Sequence, residues 1–245
     1  MEQVNVLCMK WGTKYPADYV NRLQRMVAKH LSIPHRFICL TDDDTGLGEH
    51  IEAFPIPAMP VDISGPERGW NKILTFSPSL YDPSLYNIAG TCLFLDLDLL
   101  VVDSIDDLFA VDGDVVIIKD WLKHDGTGNS SVYRFDLGRH PDLLQEFIDR
   151  WPGVKKDYRN EQEFISAVLL RKGALTYWPD SWCRSFKRHC LWPFPLSLFL
   201  TPRIPGKTKI IVFHGHQHPD EAIKGRSGKW YRFMRPTPWV QDLWG

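Results

Sequence analysis

The chain has 245 residues, 44% hydrophobic and 24% charged, with Lys plus Arg at 29 and Asp plus Glu at 30. That length suits one globular domain burying roughly 70–75% of its unfolded surface, so neither a disulfide nor a metal staple is required for folding. A net charge of -1 excludes a generally basic nucleic-acid-binding coat, and no nucleic acid is expected as a partner.

Taken in chain order, the apolar run Val4 to Met9 predicts a buried strand. Tyr19, Val20, Leu23, Met26, Val27 and Leu31 then form an i, i+3/i+4, i+7 stripe, which predicts a helix from Ala17 to Leu31 with Pro16 ahead of its first turn. His35 to Leu40 reads as a second strand, ended by Thr41-Asp42-Asp43-Asp44. Strand, helix and strand in this order predict a parallel α/β unit. Ile51 to Pro60 is Pro-rich and extended, and Trp70 to Phe76 reads as the start of a helix. Thr91 to Leu95 is the strongest central-strand candidate and breaks into Asp96-Leu97-Asp98. Further strands are expected at Asp114 to Lys119 and Ser130 to Phe135, with helices at Pro141 to Trp151 and Glu161 to Leu170, and a last strong strand at Lys209 to Phe213. The sum is an α/β fold with a mixed, mostly parallel sheet flanked by helices.

Charge is unevenly distributed. Asp42 to Asp114 holds 15 acidic and 2 basic residues, net -13, whereas Arg184 to Arg235 holds 11 basic and 2 acidic, net +9. Such halves either meet across a cleft or lie on separate solvated faces. The 5 cysteines (Cys8, Cys39, Cys92, Cys183, Cys190) contain no C-x-x-C pair, which argues against a disulfide framework or structural zinc. No basic-then-apolar leader opens the chain and no apolar stretch is long enough for a membrane-spanning helix. The expectation is a soluble, cytoplasmic protein.

Asp96 and Asp98 lie two apart at a strand end, so their carboxylates share a face while Leu97 points into the packing. Two like charges there call for something positive between them, and Mg²⁺ or Mn²⁺ would take such oxygen ligands together with substrate phosphates. The alternative is an exposed acidic turn. In Asp103 to Phe109, Ser104 followed by Asp107 reads as a helix N-cap signature.

The run Leu93 to Val101, with Ile105-Asp106-Asp107-Leu108-Phe109 after it, resembles the D-x-D segment of glycosyltransferases of the GT-A fold, most of all the retaining family 8 group. Trp70-Asn71-Lys72 is similar to the basic segment that precedes the D-x-D strand there. Asn129-Ser130-Ser131-Val132 resembles an N-[ST]-G-[VI] stretch with Ser131 in place of Gly. Glu161-Gln162 stands where a D-Q pair opens a helix, with Glu161 in place of Asp. Phe213-His214-Gly215 resembles the late segment whose His completes the metal site. The usual ending is matched only in part, by His214 to Pro219.

The resemblance implies transfer of a sugar from a nucleotide-diphosphate donor, such as a UDP-sugar, to a glycan or lipid-linked acceptor hydroxyl, with retention. It implies Asp96, Asp98 and His214 as ligands of Mn²⁺ or Mg²⁺, with Gly215 beside them at the donor. Lys72 and Lys187 become candidates for the diphosphate, Glu161 and Gln162 for the reacting carbon, and Thr13, Tyr15 and Tyr19 for the nucleotide. Each has a plainer alternative: a surface lysine at 72, a helix-surface acid at 161, a core histidine at 214, a stripe-capping Tyr19. His214, His216 and His218 alternate, which leaves a separate His-rich metal site as a rival. Residues 1–219 form the expected catalytic domain. Residues 220–245 form a basic, aromatic tail, with Trp230, Tyr231 and Phe233, that is either a lid, a peripheral membrane contact or a solvated end. Two other functions use the same carboxylates: a metal-dependent nucleotidyltransferase or phosphohydrolase, and a non-catalytic sugar-nucleotide-binding module.

Overall fold

β1 (Val4–Lys10) is enclosed along its whole length, as a strand covered on both faces must be. The computed structural model describes residues 3–63, 68–215, 218–226 and 233–245; the expected roles of His216, Trp230 and Tyr231 lie outside them. α1 (Ala17–His30) buries Val20, Leu23, Met26 and Val27, the predicted stripe, and carries Asp18 in its first turn and Lys29 and His30 in its last, matching its dipole. β2 (His35–Thr41) pairs parallel with β1, and β3 (Glu52–Pro55) pairs parallel with β2.

On the other side of β1 lies β4 (Thr91–Leu95), again parallel. β7 (Gly128–Asp136) pairs antiparallel with β4 and with β6 (Val115–Lys119), and β8 (Leu175–Tyr177) closes the edge parallel to β6. The order is β3-β2-β1-β4-β7-β6-β8, a mixed sheet. Strand alternation sorts its side chains into two cores. Val6, Cys8, Leu93 and Leu95 pack with α1, whereas Leu7, Met9, Phe94 and Tyr133 pack with Trp70, Phe147 and Phe164. These last rings come from a 3-10 segment (Arg68–Phe76), α2 (Pro141–Arg150) and α4 (Glu161–Arg171), the latter reached through the short α3 (Val154–Asp157).

A second sheet joins β5 (Leu99–Val101), β10 (Ile210–Val212) and β9 (Cys183–Ser185), with β10 central, antiparallel to β5 and parallel to β9. β5 follows β4 directly in the chain, so Asp96-Leu97-Asp98 is the bridge between the sheets. From residue 220 onward the described chain rests on the domain: after α5 (Pro219–Ile223), α6 (Pro238–Trp244) buries Val240 and Trp244, and the Trp244 ring meets Tyr19 edge-on at 5.0 Å.

The expected helix at Trp70 is 3-10 instead. The Thr75 hydroxyl donates to the Lys72 carbonyl at 2.7 Å, and Pro78 blocks continuation. The expected N-cap at Ser104 is a tighter turn: its Oγ accepts from the Asp106 N–H, ahead of a short 3-10 segment at Asp106–Phe109. All five cysteines are buried free thiols, and burial pushes Cys92 and Cys190 up to about 12. Among the described residues no helix is long and apolar enough to cross a membrane.

His140, just before α2, is buried with no hydrogen bond to Nε2, and burial together with the Lys172 charge holds it below its ordinary 6.5. The folded state therefore resists a proton that the unfolded chain accepts. The contribution of His140 is present above about pH 6.5 and is lost as the pH falls. The urea midpoint should drop between about pH 7.5 and about pH 5.5, and His140→Phe should flatten that drop.

Candidate active site

The bridge is anchored at both ends by backbone. The Asp96 N–H donates to the Ser131 carbonyl at 2.8 Å, and the Phe213 N–H donates to the Asp98 carbonyl at 3.1 Å. Leu97 is buried between them, as the alternation predicts. The two carboxylates, however, are held by different walls.

Asp96 faces Lys72, whose Nζ stands 2.7 Å from Oδ1 and 2.8 Å from Oδ2. The same ammonium lies 3.8 Å from Glu161 Oε1, which also accepts from the Ser130 hydroxyl at 2.9 Å. Burial alone would depress the Lys72 ammonium, but Asp96 and Glu161 outweigh it and hold its pKa above the usual value. Burial pushes Asp96 up to about 6, with Lys72 opposing and Asp98 adding to the rise. Glu161 opens α4, whose N-cap Asn160 accepts from the Glu163 N–H. It packs so tightly on Gly69 that a Cβ there would fall 2.4 Å from Glu161 Oε2.

Asp98 accepts from the Tyr15 hydroxyl at 2.6 Å. His218 Nδ1 stands 3.5 Å from Asp98 Oδ2, and this buried nitrogen makes no hydrogen bond. Burial would raise Asp98, yet His218 and Tyr15 outweigh it and keep the carboxyl below its usual value. Burial and then Asp98 drive the Tyr15 hydroxyl well upward, so it remains a donor.

Between these walls lies a cavity of about 410 Å³, lined by both aspartates, Lys72, Tyr15 and His214 and rimmed by Trp11 and Lys14. His214 shares a hydrogen bond between Nε2 and Ser185 Oγ at 2.6 Å and stacks on Trp121 at 5.6 Å. Burial, with Lys187 and Arg188 nearby, lowers its pKa and keeps the imidazole neutral.

The other expected residues fall around this cavity. Glu161 is one layer behind it, against Gly69. Gln162 turns to Asp120, with Nε2 3.4 Å from Oδ2. The Tyr19 hydroxyl donates to Asp220, and its ring packs on Tyr15 at 5.0 Å. Thr13 is exposed beyond the lining residues, Lys187 reaches the site through its charge on His214, and Gly215 turns the chain at φ +82°. Trp11, Lys14 and the stacking of Trp121 carried no motif; their one sequence signal is that Trp11 and Lys14 follow a buried strand, where ligands gather in such sheets.

The structure is similar to a galactosyltransferase, LgtC, solved with donor and acceptor sugar analogues, at 15% identity and a TM-score of 0.58 over 98% of this chain and 95% of that one. An active-site mutant of LgtC aligns at 16% identity and 0.59, over 98% and 94%. The fold is the GT-A fold of LgtC. The glycosyltransferase GlyE of Streptococcus pneumoniae TIGR4, in its apo form, aligns at 12% identity and 0.60, and this chain spans 59% of its length. No protein-family model matches the chain, and no curated protein matches its sequence.

Within this GT-A frame, Asp96 and Glu161 gather around the Lys72 ammonium, and Lys14 is a further cation acting on Asp98. Removing that ammonium strands two buried acids. Lys72→Met should cost about 3–5 kcal/mol of unfolding free energy near pH 7. The cost should be smaller at about pH 6 than at about pH 8, because Asp96, no longer held down by Lys72, rises further and takes a proton instead. Urea denaturation at both pH values measures this.

Proposed function

We propose that this chain is a metal-dependent glycosyltransferase that moves a sugar from a UDP-sugar to the hydroxyl of a glycan or lipid-linked acceptor, with retention of configuration. The observation that carries the reading is the cavity at the joint of the two sheets, walled by Asp96 and Asp98 and rimmed by Trp11 and Lys14, within a GT-A fold.

A divalent cation fits this set by charge and by chemistry. Asp96 and Asp98 set two carboxylates on the cavity, and the buried Nδ1 of His218 makes no hydrogen bond although it faces Asp98 at 3.5 Å. Among the described residues no three His, Cys, Asp or Glu side chains already form a cage. Asp96, Asp98 and His214 are the residues that would hold Mn²⁺ or Mg²⁺, and a mixed oxygen and imidazole set favours Mn²⁺. When bound, the metal supplies Lewis-acid neutralisation of the departing diphosphate.

The protein groups do the rest. Tyr15 fixes the rotamer of Asp98, and Lys72 fixes that of Asp96. Lys14, on the rim, adds positive charge where the leaving phosphate gains negative charge. Trp11 offers an apolar face to sugar or base. Glu161 is tied to Ser130 and Lys72 behind Gly69, so Asp96 and Asp98 are the carboxylates among the cavity's lining residues. Both are committed to positioning, which favours acceptor attack on the face shielded by the leaving phosphate over a covalent glycosyl-enzyme. Gln162, on the first turn of α4, is bonded to Asp120 and is not among the lining residues, so it is given no contact with the donor.

Calorimetry with UDP and Mn²⁺, Mg²⁺ or EDTA tests this. Binding should require the metal and weaken at least about tenfold in Asp98→Ala, a loss of about 1.4 kcal/mol. Sugar-nucleotide hydrolysis or transfer should follow in the same metal. Absence of UDP binding in every metal condition overturns the donor assignment. Pyrophosphate release without sugar transfer would make the chain a nucleotidyltransferase, and metal-dependent binding without turnover a binding module.

A further inference from the structure

The most unusual surface of the molecule lies away from the carboxylates. Of the ten exposed large hydrophobic side chains among the described residues, five (Phe194, Leu196, Phe199, Leu200 and Ile204) fall within residues 194–204. Phe194 is 79% exposed and Phe199 71%, and their clustering with three further exposed apolar side chains makes a patch of the kind that marks an interaction surface.

The segment is nonetheless firmly held. The Arg203 N–H donates to the Cys190 carbonyl at 3.0 Å, closing the loop at its base. The Trp192 indole donates to the Thr201 carbonyl at 3.0 Å, and the Trp239 indole donates to the Pro202 carbonyl at 2.7 Å. The Arg203 guanidinium lies over the Trp192 ring at 4.1 Å. A closed loop thus presents its apolar tip without collapsing it onto the domain.

The charge carried by the segment itself is basic, although the exposed Asp180 lies near enough to act on His189 at its base. From Ser181 to Pro219 there is no Asp or Glu, whereas Arg184, Lys187, Arg188, Arg203, Lys207 and Lys209 are basic. Lys209 is neutralised by Asp107 at 2.7 Å, but Arg188, Arg203 and Lys207 are exposed around the base of the loop. An apolar tip standing on a basic collar matches a bilayer in cross-section, with hydrocarbon beneath anionic headgroups. The tip offers no exposed polar side chain between Phe194 and Phe199, since Ser197 is buried, so its apolar face and its basic collar are separate, as a bilayer's two layers are.

We propose that the loop 191–204 is a membrane-docking wedge that inserts Phe194 and Phe199 into an anionic lipid surface while Arg188, Arg203 and Lys207 meet the headgroups. The loop leaves directly from Phe186–Cys190, the turn whose Lys187 and Arg188 charges act on His214 at the cavity wall. A docked molecule would therefore bring its cavity close to lipid-borne acceptors. The wedge is independent of which nucleotide the cavity binds.

Co-sedimentation of the full chain with vesicles tests it, using phosphatidylcholine alone and phosphatidylcholine mixed with phosphatidylglycerol. Binding should be at least about tenfold tighter to the anionic vesicles and should weaken as salt is raised. Phe194→Ser with Phe199→Ser should lower it by about tenfold or more, with an unchanged melting temperature, because both rings are solvent-facing. Arg188→Glu with Lys207→Glu should abolish the preference for anionic vesicles. Failure of the wild type to bind either vesicle overturns the proposal, as does undiminished binding by the double Phe variant. Sedimentation velocity covers the other occupant: a dimer that the Phe substitutions dissolve would make this face a self-association interface instead. UDP calorimetry on the double Phe variant separates failure of the wedge from failure of the donor assignment, since the cavity is untouched.

Discussion

Lys72 holds a buried positive charge among groups that the rest of the site is built around. Its ammonium reaches both oxygens of Asp96 and approaches Glu161, and these residues come from a 3-10 segment, the bridge between the two sheets and the first turn of α4. Burying such charges is costly, and it is offset only when each finds its partner. The three elements therefore have one good mutual arrangement. Gly69 sharpens it, because any side chain there would strike the Glu161 carboxylate. The geometry of Asp96 is thus determined before any ligand arrives, as preorganised electrostatics demands.

The second carboxylate is set by a different part of the chain. Asp98 belongs to the start of the small sheet and is gripped by Tyr15, from the segment that follows β1. The cavity opens where the chain leaves the carboxyl ends of β1 and β4, the side on which ligands bind in parallel sheets. It is half in one sheet's territory and half in the other's, so its width depends on how the two sheets meet. Leu97 at the seam, packed in the same core as Leu95 and Leu99, fixes that meeting.

Much of this was legible in the residues. Continuous apolar runs identify β1, β2 and β4, and the stripe from Val20 to Val27 identifies α1, because burial on one or both faces leaves a periodic trace. The tertiary contacts of the site left weaker traces. β5, β8 and β9 each span three residues, too few for any period to register, whereas the equally short β10 was marked by the apolar run within Lys209 to Phe213. The bond of the Tyr15 hydroxyl to Asp98, beside the expected place of Tyr15 at the nucleotide, left no trace in the sequence. His218 stood in a His-rich run with no assigned partner, and folding sets it beside Asp98, 120 residues away in the chain. The wedge at 191–204 is visible in sequence only as Pro and aromatic residues; its exposure depends on indole hydrogen bonds from Trp192 and Trp239.

By itself, the sequence determined the α/β class, the central strands, the placement of the D-x-D pair at a strand end and the opposition of an acidic and a basic half. These are local consequences of side-chain periodicity and composition. Tertiary structure alone decided that Asp96 answers to Lys72 and Asp98 to Tyr15, that His214 lines the cavity while bonded to Ser185, and that Gln162 turns to Asp120. Such pairings join residues far apart in the chain. They are selected by the cost of leaving buried charges and polar atoms unpaired, a quantity that exists only once the chain has closed around them.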